Sequence, residues 1–197
     1  LNPVEVNAGG TLITQDEVSL RTEYGAGGSD EGVAVKLMGA GATAILGSSG
    51  SYWGSEAAVL STAEGTTLVI NDGTFNAKNN NRVVIDTHGD ATVNGGTISS
   101  MWISGTLRVN GGTFEHQDSA SSDWTPLMVS GGDAYITGGT FETYNGRDGT
   151  ASIKLENGAH MHILADTNGA VRIGSMNAYV GSPSTTNYED VRLGYVR

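Results

Sequence analysis

"TLRVNGGTFEH", residues 106–116, sets an alternating Leu107-Arg108-Val109 against Asn110, two glycines, Thr113 and Phe114. The same order recurs as "TLVINDGTFNA" at 67–77, "ATVNGGTISS" at 91–100 and "AYITGGTFET" at 134–143. Alternation of apolar and polar residues is the two-residue period of a half-buried strand. Asn-Gly-Gly is corner chemistry: glycine accepts positive φ without Cβ strain, and Asn tolerates left-handed geometry. Thr113 and Phe114 then restart a strand on the next side.

The second residue of each Gly-Gly or Asp-Gly pair falls at Gly73, Gly96, Gly112 and Gly139, with spacings of 23, 16 and 27 residues. Such a period with variable loops belongs to a solenoid. Successive coils read as 10–41, 42–65, 66–89, 90–105, 106–132, 133–158 and 159–181. The whole of 1–197 is expected to form one domain. In it, 1–41 is an irregular first coil or N-terminal cap, 42–181 the regular coils, and 182–197 a last strand or C-terminal cap.

Three inward columns follow from the alignment: Leu68, Ala91, Leu107, Ala134; Ile70, Val93, Val109, Ile136; and Phe75, Ile98, Phe114, Phe141. Asn71, Asn94 and Asn110 are expected to form an amide ladder that ends or changes at Thr137. Another strand closes most coils at 83–85, 101–103, 127–129 and 153–155. Its inward residues read as Val83 and Ile85, Met101 and Ile103, Leu127 and Val129, Ile153 and Leu155. Antiparallel hairpins use the same Asn-Gly signal, but hairpin strands need not repeat one motif in one order, and a parallel coil does. No segment carries a 3.6-residue apolar stripe. The expected fold is therefore all-β, a right-handed parallel β-helix (β-solenoid) of about seven coils, its handedness following the general crossover preference.

Composition agrees. The chain has 197 residues, a hydrophobic share of 38% and 30 glycines, about twice ordinary usage, with only 3 prolines and no Gly-X-Y period. A net charge of −11 argues against nucleic acid or an anionic membrane surface as partner. No run of apolar residues approaches a membrane span. Cysteine is absent, which excludes a disulfide framework and thiol catalysis. A chain beginning at Leu1 is expected to be a mature secreted chain or an excised domain.

The repeats resemble right-handed parallel β-helix (pectin-lyase-like β-solenoid) surface proteins with "GGTF"-type coils, closely over residues 66–143. That resemblance covers adhesins, pectin-degrading enzymes and phage tailspikes alike, so it implies architecture ahead of activity. A pectate-lyase-like member implies an acidic cluster holding Ca²⁺ and a basic residue that abstracts a proton. Here no Asp column repeats on neighbouring coils, and no "GHG" or "DD" pair of the polygalacturonase type is present.

Candidate chemistry sits in a few places. "IDTHGD" brings Asp86, His88 and Asp90 together, with Arg82 just upstream. Two carboxylates and an imidazole are the material of acid–base chemistry on a glycan or of a metal site, and equally of a solvated corner. His160 and His162, two residues apart on one strand face, need a third metal ligand, for which Asp166 is the weak candidate. Trp124, Tyr144 and Arg147 lie in protruding loops and suit stacking and hydrogen bonding to a sugar. Thr74, Thr97, Thr113 and Thr140 form an outward file that raises ice binding. The adjoining Asn76, Ser99, Glu115 and Glu142, two of them charged, count against it. Down the closing strands the outward file reads Lys36, Val59, Val84, Trp102, Met128 and Lys154. Its apolar middle, Val84, Trp102 and Met128, is expected to meet a partner or to lie under a loop such as 118–126.

The resulting expectation is a noncatalytic, extracellular or cell-surface module of a larger secreted protein. Its partner is a glycan or protein surface, or another copy of itself, and it neither binds nucleic acid nor inserts in a membrane. An adhesin-type, carbohydrate-binding or structural role fits this reading. The alternative is a polysaccharide-degrading β-helix enzyme or phage tailspike fragment, with Asp86, His88, Asp90 and Arg82 at its centre.

Overall fold

The opening repeat, Leu107-Arg108-Val109, is a strand whose outer residues are buried and whose central arginine is exposed. In the matching copies at 67–70, 90–93 and 133–136 the flanking apolar residues are likewise buried around a half-buried central residue, and stacking them produces a parallel β-helix. The structure, a computed structural model, describes residues 2–22, 32–47, 49–78, 83–115, 125–142, 152–165, 171–173 and 191–195. The strands of these residues form three parallel sheets of seven, eight and seven strands, every third strand in sequence lying side by side except that His160–Ala165 pairs with Val191–Tyr195, two strands on. Seven coils therefore each give one strand to each sheet, and an eighth strand follows in the second.

Sheet A runs from Val4–Asn7 through Ala57–Ser61, Ile85–Thr87, Met101–Ile103 and Leu127–Ser130 to Ile153–Glu156. Sheet B runs from Thr11–Ile13 through Thr67–Ile70, Asp90–Val93, Leu107–Val109 and Asp133–Ile136 to His160–Ala165 and Val191–Tyr195. Sheet C runs from Ser19–Arg21 through Thr74–Ala77, Thr97–Ile98 and Thr113–Glu115 to Val171–Ile173. Residues 4–21, expected to be an irregular first coil or cap, already supply a strand to each sheet, in register with the coil that follows. No helix occurs among the described residues.

The three expected inward columns are present. Phe75, Ile98, Phe114 and Phe141 are register partners and fully buried, with Tyr52 continuing the file below them. Tyr52 and Phe75 stack at 4.7 Å, and Phe114 and Phe141 at 4.8 Å. These are the spacing of neighbouring strands, so within each pair one ring lies flat on the ring of the next rung, with Ile98 between the two pairs. The first inward column of sheet B alternates in size: Leu12, Ala44, Leu68, Ala91, Leu107, Ala134, Met161. Each large side chain thus fills the space left by the small ones above and below, the condition for a void-free stack.

Corners follow the same logic. Asn94 Nδ2 donates to Asn71 Oδ1 at 2.9 Å, and Asn110 Nδ2 to Asn94 Oδ1 at 2.8 Å. At Thr137 the ladder changes chemistry, its hydroxyl donating to Asn110 Oδ1 at 3.0 Å. Gly96 shows why the corner is glycine: φ is +92°, and a Cβ there would stand 2.7 Å from the Gly73 carbonyl oxygen.

One register differs from the expectation. The sheet A strand is Ile85–Thr87, with Ile85 beside Met101 and Thr87 beside Ile103. Val83 and Val84 precede it. The amides of Ala58 and Val59 both donate to the Val84 carbonyl, at 2.8 and 3.2 Å, a local irregularity after which regular pairing begins at Ile85. The inward pair is therefore Ile85 and Thr87, and Val84 is buried instead of facing outward. Thr87 is tolerated inside because its Oγ1 accepts the Gly89 amide at 3.2 Å.

Candidate functional site

That register shift decides what lies on the outer face of sheet A. Lys36 pairs with Leu60, Leu60 with Asp86, Asp86 with Trp102, Trp102 with Met128, and Met128 with Lys154. The outward file is therefore Lys36, Leu60, Asp86, Trp102, Met128, Lys154, with Leu60 and Asp86 where Val59 and Val84 were expected. Val59 is wholly buried on the core side. Lys36 and Leu60 are buried as well, so the first half of the file is not open surface. Asp86, Trp102, Met128 and Lys154 remain partly exposed, and Lys154 pairs with Glu156 at 3.1 Å.

Asp86 stands directly beside the Trp102 backbone in the parallel ladder, and His88 meets the Trp102 ring edge-on, at 5.0 Å and 62°. His88 Nε2 lies 3.9 Å from Asp86 Oδ1, too far for a hydrogen bond. Oδ1 is itself buried and accepts no hydrogen bond from the described residues. The Asp86 side chain as a whole is still 35% exposed, which leaves Oδ2 as the carboxyl oxygen a ligand can reach. Burial pushes this carboxyl above the usual carboxylate range, and the neighbouring His88 partly opposes the shift.

Asp90, the second carboxylate of the cluster, goes elsewhere. It begins the sheet B strand, and its Oδ1 accepts the Thr106 amide at 2.8 Å, tying one coil to the next. The sequence cluster is thus split: Asp86 and His88 stay with Trp102, and Asp90 supports a corner.

His160 and His162 do share one strand face, and Asp133 of the preceding coil lies between them. Asp133 Oδ1 is 3.5 Å from His160 Nδ1 and 3.9 Å from His162 Nε2. His162 stacks on Tyr135 at 4.8 Å and 11°, and the Arg108 guanidinium lies 5.4 Å from the Tyr135 ring centre on the next rung down. Asp133, Tyr135 and Arg108 went unread in the sequence, although laying "DAYI" over "HMHI" places Asp133 on His160 and Tyr135 on His162. Among the described residues no group of three His, Cys, Asp or Glu side chains is placed to hold a metal ion. Arg82, Trp124, Tyr144, Arg147 and Asp166 lie outside the described residues.

On sheet C the outward Thr file is in register, and the next file places Glu115 beside Glu142. Two like charges on neighbouring rungs leave no regular hydroxyl lattice there.

Comparison of the chain with family models, with curated proteins and with solved structures returns no match.

Proposed function

We propose that this chain is a noncatalytic, extracellular or cell-surface β-helix module that binds a glycan on the outer face of sheet A. The supporting observation is the half-buried Trp102 between Asp86 and Met128, with His88 at its edge. An indole offers an apolar platform to the C–H face of a sugar ring, and a carboxylate beside it accepts hydrogen bonds from hydroxyl or amine groups. Membership among pectin-lyase-like surface proteins with "GGTF" coils belongs to the same proposal and rests on the repeats alone.

A polysaccharide-cleaving activity is the second reading, favoured by the raised Asp86 carboxyl beside an imidazole. Glycoside hydrolysis ordinarily needs a second carboxylate across the scissile bond. Asp90 is engaged with the Thr106 amide and does not supply it.

A glycan array read beside assays for reducing ends and unsaturated products tests both. Binding that Trp102→Ser abolishes, without product formation, is the expected result. Product formation lost in Asp86→Ala would replace binding with catalysis.

A further inference from the structure

We infer that the group recognised beside Trp102 is a protonated amine, so that the ligand is a glycan carrying free amino groups, of the glucosamine-polymer class. The inference rests on the glycan-binding reading and narrows it.

Three features point the same way. First, Asp86 is a carboxylate in an apolar setting, with Leu60 and Trp102 as its direct rung neighbours. One oxygen is buried without a hydrogen bond, and the nearest imidazole nitrogen stands 3.9 Å off. A carboxylate so placed lacks, among the described residues, the compensation that buried charges ordinarily have. A cation at the accessible Oδ2 supplies it. A neutral hydroxyl would add one weaker hydrogen bond and leave the charge standing, because charge-assisted bonds are roughly twice as strong.

Second, the adjoining side chain is an indole, the aromatic ring that attracts cations best. An ammonium held at Asp86 Oδ2 lies on the rung next to Trp102. Met128, one rung further, extends the apolar surface over which the sugar ring lies. Third, the chain's net charge of −11 favours approach of a polycation and opposes acidic polysaccharides.

The test compares oligomers of β-1,4-linked glucosamine with N-acetylated oligomers of equal length, which keep the skeleton and lose the charge. An oligolysine of matching charge is a third probe. Each is titrated against the chain by calorimetry in low-salt buffer stepped from mildly acidic to neutral pH, because the raised Asp86 carboxyl must be ionised while the amines still carry protons. The free-amine oligomer is expected to bind at least about tenfold more tightly than the acetylated one. Asp86→Asn is expected to erase that difference, and Trp102→Ser to weaken both oligomers. The unmodified chain's own discrimination needs no variant, so it decides the matter even if Asp86→Asn fails to fold.

Equal binding of the two oligomers would overturn the inference and leave glycan binding in place. Oligolysine binding as tightly as the free-amine oligomer, with the same loss in Asp86→Asn, would overturn it in favour of a cationic protein segment. No binding of either sugar, together with a blank glycan array, would overturn both this inference and the reading beneath it.

Discussion

Two neighbouring faces of the solenoid carry the same three kinds of side chain, and only one of them is self-sufficient. On sheet B, Asp133 lies between His160 and His162, His162 stacks on Tyr135, and Arg108 stands over the far side of the same ring. Ring faces there are spent on one another at the rung spacing, which is how cross-strand pairs stabilise a sheet. On sheet A, among the described residues, Asp86 has one imidazole at 3.9 Å and a buried oxygen with no hydrogen bond, and that imidazole meets Trp102 edge-on. A carboxylate, an imidazole and an aromatic ring are thus no signature by themselves. What separates a structural ladder from a candidate site is whether the groups satisfy each other.

The largest effect expected on this contrast lies beneath both faces. Phe114→Ala removes a fully buried ring from the sheet C file and is expected to cost about 3–5 kcal/mol in denaturant unfolding, because the flanking rungs cannot collapse into the void. A cost below about 1 kcal/mol would mean that the aromatic file does not hold the coils in place, and the comparison of outer faces would lose its common frame.

Next comes the sheet A face itself. Trp102→Ser should weaken glycan binding by about tenfold or more while the melting temperature stays close to that of the unmodified chain. A large fall in melting temperature with unchanged binding would make Trp102 part of a covered core.

Tyr135→Ala should do the reverse on sheet B. Losing a stacked ring is expected to cost on the order of 1 kcal/mol, with glycan binding unaltered. If this variant lost binding at unchanged stability, the assignment of the two faces would have to be exchanged.

The smallest effect concerns protons. The folded-state pKa of Asp86 is raised, so the folded chain holds this proton more tightly than the unfolded chain does. Its contribution to stability is therefore fully present below the ordinary carboxylate range and is lost as pH rises through the raised value. Asp86→Asn should accordingly be slightly more stable than the parent at neutral pH, with the difference shrinking as pH falls through the carboxylate range. Thermal melts across that range check the sign, and a variant less stable at neutral pH would show that the ionised carboxylate is stabilised after all.

Most of the interior could be read from the sequence because each rung states it locally. Leu107-Arg108-Val109 alternates, Asn110-Gly111-Gly112 turns, and Phe114 points back in, with no information needed from elsewhere. The error at 83–85 shows where that reading stops. Apolarity favours Val83 and Ile85 as the inward pair, but the corner decides otherwise. Thr87-His88-Gly89-Asp90 lies over Ile103-Ser104-Gly105-Thr106, and a Cβ on Gly105 would be 2.3 Å from the Gly89 carbonyl oxygen. Counting back from those stacked glycines would have placed Thr87 inside and Asp86 outside.

By itself, then, the sequence determined the coil: period-two strands, glycine corners, an asparagine ladder and the inward aromatic file, all set by contacts within a rung or between copies of one motif. Only the tertiary structure decided which outward side chains meet. A rung's lateral neighbours come from coils separated by corners and loops of unequal length, and a polar residue such as Thr87 can take an inward place once a local hydrogen bond satisfies it. That single register is what sets Asp86 beside Trp102 and sends Asp90 to the next coil.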